Sequence, residues 1–433
     1  MSRIARISLV GLLVALVAGT FPACQSIGLG KDDFRIKDGK LFRGNSKFTL
    51  QAFEAPGMGA SGGELAGIVP PMVRTGEVGG NAVCFDLTGY NEDYSQVDPA
   101  AVQTVETIAH RAKNSRMGVI VRVIGENVPP ELHEKAVRTA AKALKRQGMV
   151  VYLFDGPHAA ELAREFKDRA PLRVVIAPAN GDLTFTDEEP AEYPGHLVVL
   201  DDVIPGYDID GQHFILANED ARYEALDQKL MRPIEKDPPQ LDPAILSEEE
   251  QAAGFVPLFN GEDLTGWWFK DPEVESFHVN DCGAIEWREK GAGAINSARR
   301  YSDFVLRCEW KILPGGNSGI WMRAPRGSRE SKLGVEFQLR GDSGTEEPDE
   351  SNTGSVYDVL PPLAMPAHRE GEWNTLEVRF EGPHYKAWIN GVVVQDVNFD
   401  DHEELKYRLR KGFICLTDHG NYVAYRNIRI KEL

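Results

Sequence analysis

Cysteine is scarce in this chain of 433 residues: five are present, at positions 24, 84, 282, 308 and 415, with no CxxC pair. Zinc ribbons and disulfide scaffolds need closely spaced cysteines, so both are excluded. Basic residues are also in deficit, 48 Lys plus Arg against 66 Asp plus Glu, for a formal charge of −18. A phosphate backbone is bound through a basic patch, so no nucleic-acid partner is expected. No GxGxxG follows the first strand-like run, which removes the main support for a dinucleotide fold. What remains, 42% hydrophobic and 26% charged residues, is the profile of a globular chain. The length calls for two domains of roughly 150–250 residues each.

Residues 1–24 read as an export signal. Arg3 and Arg6 precede the apolar run Ile7 to Val17, then small residues, then Ala23-Cys24. The run is too short for a transmembrane helix, which needs about 20 apolar residues. Ala23-Cys24 resembles a bacterial lipoprotein cleavage box, from which Phe21 and Pro22 depart. The resemblance implies acylation of Cys24 and a membrane-anchored lipoprotein of the cell envelope. Ordinary cleavage near residues 18–20 would instead release a soluble periplasmic or secreted product. The other four cysteines read as small buried hydrophobes, with a Cys282–Cys308 disulfide left open.

Residues 33–230 form the first domain. Residues 34–53 suggest hairpin strands with Asp38-Gly39 as the turn. Six short apolar runs follow: 82–85, 119–124, 150–154, 174–177, 197–200 and 214–217. Helical periodicity over 100–114 and 131–147 separates the early ones. Strands alternating with helices predict an α/β domain with a parallel sheet. An opening hairpin before βα units resembles the start of glycoside-hydrolase barrels, which implies a shortened or degenerate TIM-like barrel. Asp86, Glu126, Asp155, Asp201, Asp202 and Glu219 end the strand runs and would gather at its C-terminal face. Asn218-Glu219 resembles the acid/base pair of many barrel glycosidases. Carboxylates at strand ends also serve solubility and capping.

Residues 231–253 read as a linker, with Pro233, Pro238, Pro239 and Pro243 and the acidic run Glu248–Glu250, where Ser247 could cap one helical turn. Over 254–433 the period becomes two. Phe304, Leu306, Cys308, Trp310 and Ile312 alternate with Asp303, Val305, Arg307, Glu309 and Lys311, and Asn390-Gly391 is a strong hairpin signal. About ten such strands predict an all-β sandwich.

Several segments stand in order: GFVPLFNGEDLTGWW at 254–268, YSDFVLRCEWKI at 301–312, GGNSGIWMRAP at 315–325, GVEFQLRGD at 334–342, TGSVYDV at 353–359, GEWNTLEVRFEGPHYKAWINGVVV at 371–394 and LTDHGNYVAYRNIRIKEL at 416–433. Together they resemble the bacterial 3-keto-disaccharide hydrolase family. The resemblance implies a concanavalin- or glucanase-like jelly roll and an oligosaccharide or 3-keto-glycoside as partner. It also implies chemistry by C2 deprotonation, elimination and hydration.

On those motifs His419, Glu336 and Arg323 are the candidate catalytic residues. Asn317, Ser318, Gln338, Tyr357, Asp418 and Asn421 are candidates for substrate binding. A divalent metal ion is left open as cofactor, with Glu336 and His419 as its candidate ligands. Glu336 and Gln338, two apart on one strand, share a face. A histidine is the natural base or metal ligand near neutrality, although His419 could also be a turn residue. Trp267 and Trp268 could stack on sugar or fill the core. A non-catalytic glycan-binding sandwich serving a barrel glycosidase is the second reading. Where the family reads Glu-x-Gln-x-x-Asp, this sequence inserts Gly341 and displaces the acid to Asp342, which puts activity in question unless a bulge restores the face.

Overall fold

A computed structural model describes residues 29–433 except 39, 56, 126–127, 179–180, 187–195, 201–212, 217–238, 270–274 and 289–292. Segment 1–24 with Cys24, and Glu126, Asp201, Asp202 and Glu219, lie outside the described residues. Among the described residues no helix is long and apolar enough to cross a membrane.

The chain opens with a three-stranded antiparallel sheet, β1 (Phe34–Lys37), β2 (Lys40–Arg43) and β3 (Ser46–Lys47). Eight parallel strands follow: β4 (Gln51–Glu54), β5 (Ala82–Asp86), β6 (Gly118–Arg122), β7 (Val151–Leu153), β8 (Val175–Ala177), β9 (Leu183–Thr186), β10 (His196–Leu200) and β11 (His213–Leu216). Their ladder closes on itself, β11 pairing with β4 and β9 with β10. Segment 46–53 is therefore not one hairpin strand: its second half leaves the hairpin to join the parallel sheet. Helices α1 (Leu65–Glu77), α2 (Pro99–Asn114), α3 (His133–Leu144) and α4 (Ala159–Arg169) follow β4 to β7. Alternation sorts the strand residues into two apolar layers. Ala52, Ala82, Cys84, Ile120 and Leu153 fill the space inside the ladder, while Val83, Phe85, Val119, Val121 and Tyr152 pack outward against the helices.

Ser247 accepts a hydrogen bond from the Glu250 N–H at 3.2 Å and caps the short helix Glu248–Ala252. Beyond it lies a sandwich of two antiparallel sheets, consistent with a jelly roll. Its strands are β12 (Val256–Pro257), β13 (Trp267–Phe269), β14 (Phe277–Val279), β15 (Ile285–Trp287), β16 (Ala294–Ser297), β17 (Phe304–Ile312) and β18 (Asn317–Ala324). They continue with β19 (Val335–Arg340), β20 (Asn374–Glu381), β21 (His384–Ile389), β22 (Val392–Asn398), β23 (Phe413–Thr417) and β24 (Val423–Glu432). One sheet runs β14-β15-β24-β17-β20-β21-β22, with β12 also on β24; the other runs β13-β16-β23-β18-β19.

The predicted alternation is the packing rule of this core. Phe304, Leu306, Cys308, Trp310 and Ile312 of β17 point between the sheets and meet Ile320, Phe337, Leu416 and Tyr425. Each such aliphatic or aromatic side chain contributes about 1.5–3 kcal/mol by leaving water. Asn390 and Gly391 turn β21 into β22 with φ of 50° and 79°, the positive pair that a two-residue hairpin needs. The Cys282–Cys308 bridge is absent: Cys308 is a buried thiol in the core and Cys282 an exposed one.

The two domains share apolar packing. Leu333, at the end of the helical turn Glu330–Leu333, and Leu409 belong to the same buried cluster as Ile68, Met72 and Ile108 of α1 and α2. The Arg329 N–H donates to the Ser115 carbonyl at 2.8 Å, and Arg116 pairs with Glu330 at 3.3 Å.

Candidate active site on the five-stranded sheet

Directly opposed residues in an antiparallel ladder project to the same face. The register of the five-stranded sheet opposes Trp268 to Asn296, Asn296 to Cys415, Cys415 to Trp321, and Trp321 to Glu336. Neighbouring Ile295, Leu416, Ile320 and Phe337 face the core instead. One outward row therefore runs from the Trp268 edge to a carboxylate, with Gln338 next along β19 opposite Gly319.

Glu336 is 4% exposed, a carboxylate let into the sheet floor. Gly319 makes room for it, since a Cβ there would stand 2.7 Å from Glu336 Oε1 and 3.2 Å from its Cγ. His419 follows β23 and brings Nε2 to 3.7 Å from Glu336 Oε1, with 35% of its side chain exposed at the rim. Its ring stands edge-to-face with Trp321, centroids 6.5 Å apart. Asp418 fixes this turn. Its Oδ1 accepts from Trp287 Nε1 at 2.9 Å and from the Gly420 N–H at 2.8 Å, and its own N–H donates to the Gly293 carbonyl at 2.8 Å. Asn421 lies half-buried in the same turn. The Tyr357 N–H donates to the Glu336 carbonyl at 3.1 Å, which places Tyr357 beside the carboxylate's strand.

Two predicted site residues do not reach this face. Ser318 is inward by alternation: its Oγ lies 2.9 Å from the Thr417 carbonyl and 2.8 Å from the Tyr425 hydroxyl, fully buried. Arg323 shares the parity of Asn317 and Trp321, but the β18–β23 register shifts between Trp321 and Ala324, and Arg323 takes φ 49°. That irregularity turns it away. Its guanidinium is fully buried over the Phe380 ring, donating to the Ser302 and Gly382 carbonyls and to Asp303. Burial lowers its pKa to about 10. The Arg323 guanidinium is thus held beneath the sheet by these contacts and does not reach the outer face.

The displaced acid is also settled by geometry. β19 ends at Arg340 with its register to β18 unbroken, so Asp342 lies beyond the strand. Gly341 passes so close to β17's end that a Cβ would lie 2.2 Å from the Leu313 carbonyl. Asp342 then turns toward segment 349–353 and anchors it.

Among the described residues no group of three or more His, Cys, Asp or Glu side chains is placed to hold a metal ion. Glu336 and His419 supply two ligands, short of the three protein ligands usual in a catalytic zinc site.

At the C-terminal ends of the parallel strands, Arg122 binds Asp86 and Asp155 at 2.8 Å each and also pairs with Glu54. Glycosidase chemistry needs two carboxyl groups free to act as acid and base, and here one guanidinium engages both predicted carboxylates that are described. A groove of about 300 Å³ lies on the larger sheet, lined by Arg307, Glu309, Glu377, Trp388 and Arg429. Its charges are already paired, Arg307 with Glu377 and Arg426 with Glu309, both at 2.7 Å. The smaller sheet has the more reactive face. Trp267 turns inward and donates to the Leu258 carbonyl; Trp268 lies on the outer row and donates to Ser297.

The second domain is thus a double-sheet sandwich carrying an acid–imidazole pair on one face. Residues 254–431 match the family described as the 3-keto-alpha-glucoside-1,2-lyase-like domain. This part of the chain is also similar to a 3-keto-disaccharide hydrolase of Bacteroides thetaiotaomicron, 26% identical across 42% of this chain and 79% of the relative. Among solved structures it is similar to a protein of Parabacteroides distasonis provisionally described as a glycosyl hydrolase. The identity is 27%, the match covers 43% of this chain and 98% of that one, and the TM-score is 0.39. A second such structure from the same organism is 24% identical over 41% and 99%, with a TM-score of 0.37.

Proposed function

We propose that the protein is an exported enzyme that cleaves 3-keto-glycosides on the outer face of its five-stranded sheet. The observation that carries this reading is the Glu336–His419 pair, 3.7 Å apart within the segment that matches the family. A ketone at C3 acidifies the C2 proton. Glu336 takes that proton, and the electron pair of the C2–H bond forms the enolate. The enolate then expels the glycosidic oxygen from C1, leaving a C1=C2 double bond, and His419 protonates the departing oxygen. Water adds at C1, a proton returns to C2, and the net result is hydrolysis. The buried carboxylate suits the ring carbon lying over the sheet, and the half-exposed imidazole suits a leaving group directed to solvent.

The closed ladder of the first domain belongs to the same reading as a shortened TIM-like barrel that carries and positions the sandwich. Its mouth is neutralised in part by Arg122.

Incubating the full chain in D2O with a 3-keto-disaccharide and with its unoxidised parent tests the assignment. Deuterium at C2 reports proton abstraction and free sugar reports elimination. The keto compound alone should be cleaved. Glu336→Gln should lose both signals, while His419→Ala should keep C2 exchange and lose release. Equal cleavage of the parent, or full activity in Glu336→Gln, would overturn the reading.

A further inference from the structure

Resting on that reading, we infer that Gln338 reads one substrate hydroxyl through its amide oxygen, and that Asp342 is the positioning residue that holds it so. The amide has a fixed sense. Its Nε2 donates to the Ser351 backbone carbonyl at 3.2 Å, which can only accept, and lies 3.4 Å from Asn317 Oδ1. The oxygen must therefore point the other way. Among the described residues Gln338 Oε1 has no hydrogen-bond partner, in a side chain only 3% exposed and two residues from Glu336 on the same face. A buried acceptor without a donor carries a desolvation cost that a substrate O–H would relieve. A ketone oxygen, having no proton to give, would not. Gln338 thus selects a hydroxyl of the sugar and leaves the keto group to other contacts.

The Ser351 carbonyl is not part of a strand. It sits in segment 349–353, which Asp342 ties down: Oδ2 accepts from Asn352 Nδ2 at 2.9 Å and from the Thr353 N–H at 3.0 Å, and Oδ1 accepts from Thr353 Oγ1 at 2.7 Å. Thr353 in turn bonds back to β19, its Oγ1 accepting from the Arg340 N–H at 2.8 Å. The acid that the sequence displaces by one residue therefore acts through this segment on the amide of Gln338.

The test uses the full chain and a set of 3-keto-disaccharides, each lacking one hydroxyl. The native protein should lose about tenfold in kcat/KM on one member of the set, the loss of one hydrogen bond. In Gln338→Leu that penalty should vanish, and in Asp342→Ala it should shrink at least threefold, chiefly through KM and with a retained thermal transition. Thr353→Val provides the same reading should Asp342→Ala fail to fold. A penalty undiminished in Gln338→Leu overturns the reading of the hydroxyl. One undiminished in Asp342→Ala or Thr353→Val overturns the role of Asp342. Absence of keto-sugar cleavage by the native protein would sink the proposed function instead. Calorimetry with the unoxidised disaccharide and its deoxy analogues then decides this inference separately, and equal binding of all of them, or none, overturns it.

Discussion

Trp287 Nε1 donates to Asp418 Oδ1 at 2.9 Å, joining β15 of the larger sheet to the turn after β23 of the smaller one across 131 residues of sequence. The same oxygen accepts from the Gly420 N–H, so His419 stands between two backbone positions fixed by one carboxylate. Replacing Trp287 by Phe keeps most of the ring but removes the donor. A hydrogen bond to a charged acceptor contributes about 1.5–3 kcal/mol, and much of that would be recovered by water in this half-buried turn. We expect kcat to fall about tenfold as His419 loses its fixed orientation, with C2 exchange less affected than sugar release. Equal loss of both would show that Trp287 supports the whole face and not His419.

Gly319 makes a sharper demand. Its missing Cβ is the space that Glu336 occupies, since an added Cβ would stand 2.7 Å from Glu336 Oε1. Gly319→Ala should push the carboxylate off the sheet floor and reduce kcat by at least tenfold, while overpacking costs about 1–3 kcal/mol of stability. Steady-state kinetics with denaturant unfolding of the same variant checks both numbers. Unchanged kcat would mean that the position of Glu336 is not critical.

Much of this architecture is legible in the sequence, and the failures have physical causes. Strands buried on one face announce themselves by alternation, so β17, β20 and β24 can be read directly, and Asn390-Gly391 fixes a hairpin. Helix α1 is hidden because Pro70 and Pro71 sit inside it, where proline normally argues against a helix. Glu336 and Gln338 can be placed on one face because two residues along a strand share it. Ser318 is misplaced because it adjoins Asn317 and so faces the opposite way. Arg323 is misplaced because the β18 irregularity breaks the alternation on which its reading depends. The Trp287–Asp418 contact depends on how the two sheets stack, which no local pattern encodes.

Segment 349–353 should respond to acid. Asp349 Oδ1 accepts from the Ser351 hydroxyl and N–H at 2.7 Å each, which holds its carboxyl below the usual aspartate range. A carboxyl depressed in the folded state stabilises the turn above its unfolded pKa, and that contribution disappears as pH falls through the folded value. Hydrogen exchange of the peptide spanning 342–356, corrected for intrinsic rates, should show stable protection near pH 6 and loss of it toward pH 2–3. Asp349→Asn should remove the acid-dependent step. A protection level independent of pH in the native protein would contradict the assignment.

The domain junction carries a stability prediction that also bears on how activity is assayed. Leu333 comes from the sandwich but is 2% exposed inside the apolar cluster of α1 and α2. Gly76 of α1 passes beneath it, where a Cβ would lie 2.4 Å from Leu333 Cδ2. The Arg116–Glu330 pair is the lesser contribution, because the Arg116 side chain is 59% exposed and water screens it. Leu333→Ala should therefore cost about 2–5 kcal/mol, seen as a lower guanidinium midpoint of the full chain. Gly76→Val should cost a comparable amount from the other side of the same contact. The separated sandwich would expose Leu333 and Leu409 together and should unfold at lower denaturant than the intact chain. An unchanged midpoint in Leu333→Ala would show that the domains are held by polar contacts alone and that the sandwich can be assayed by itself.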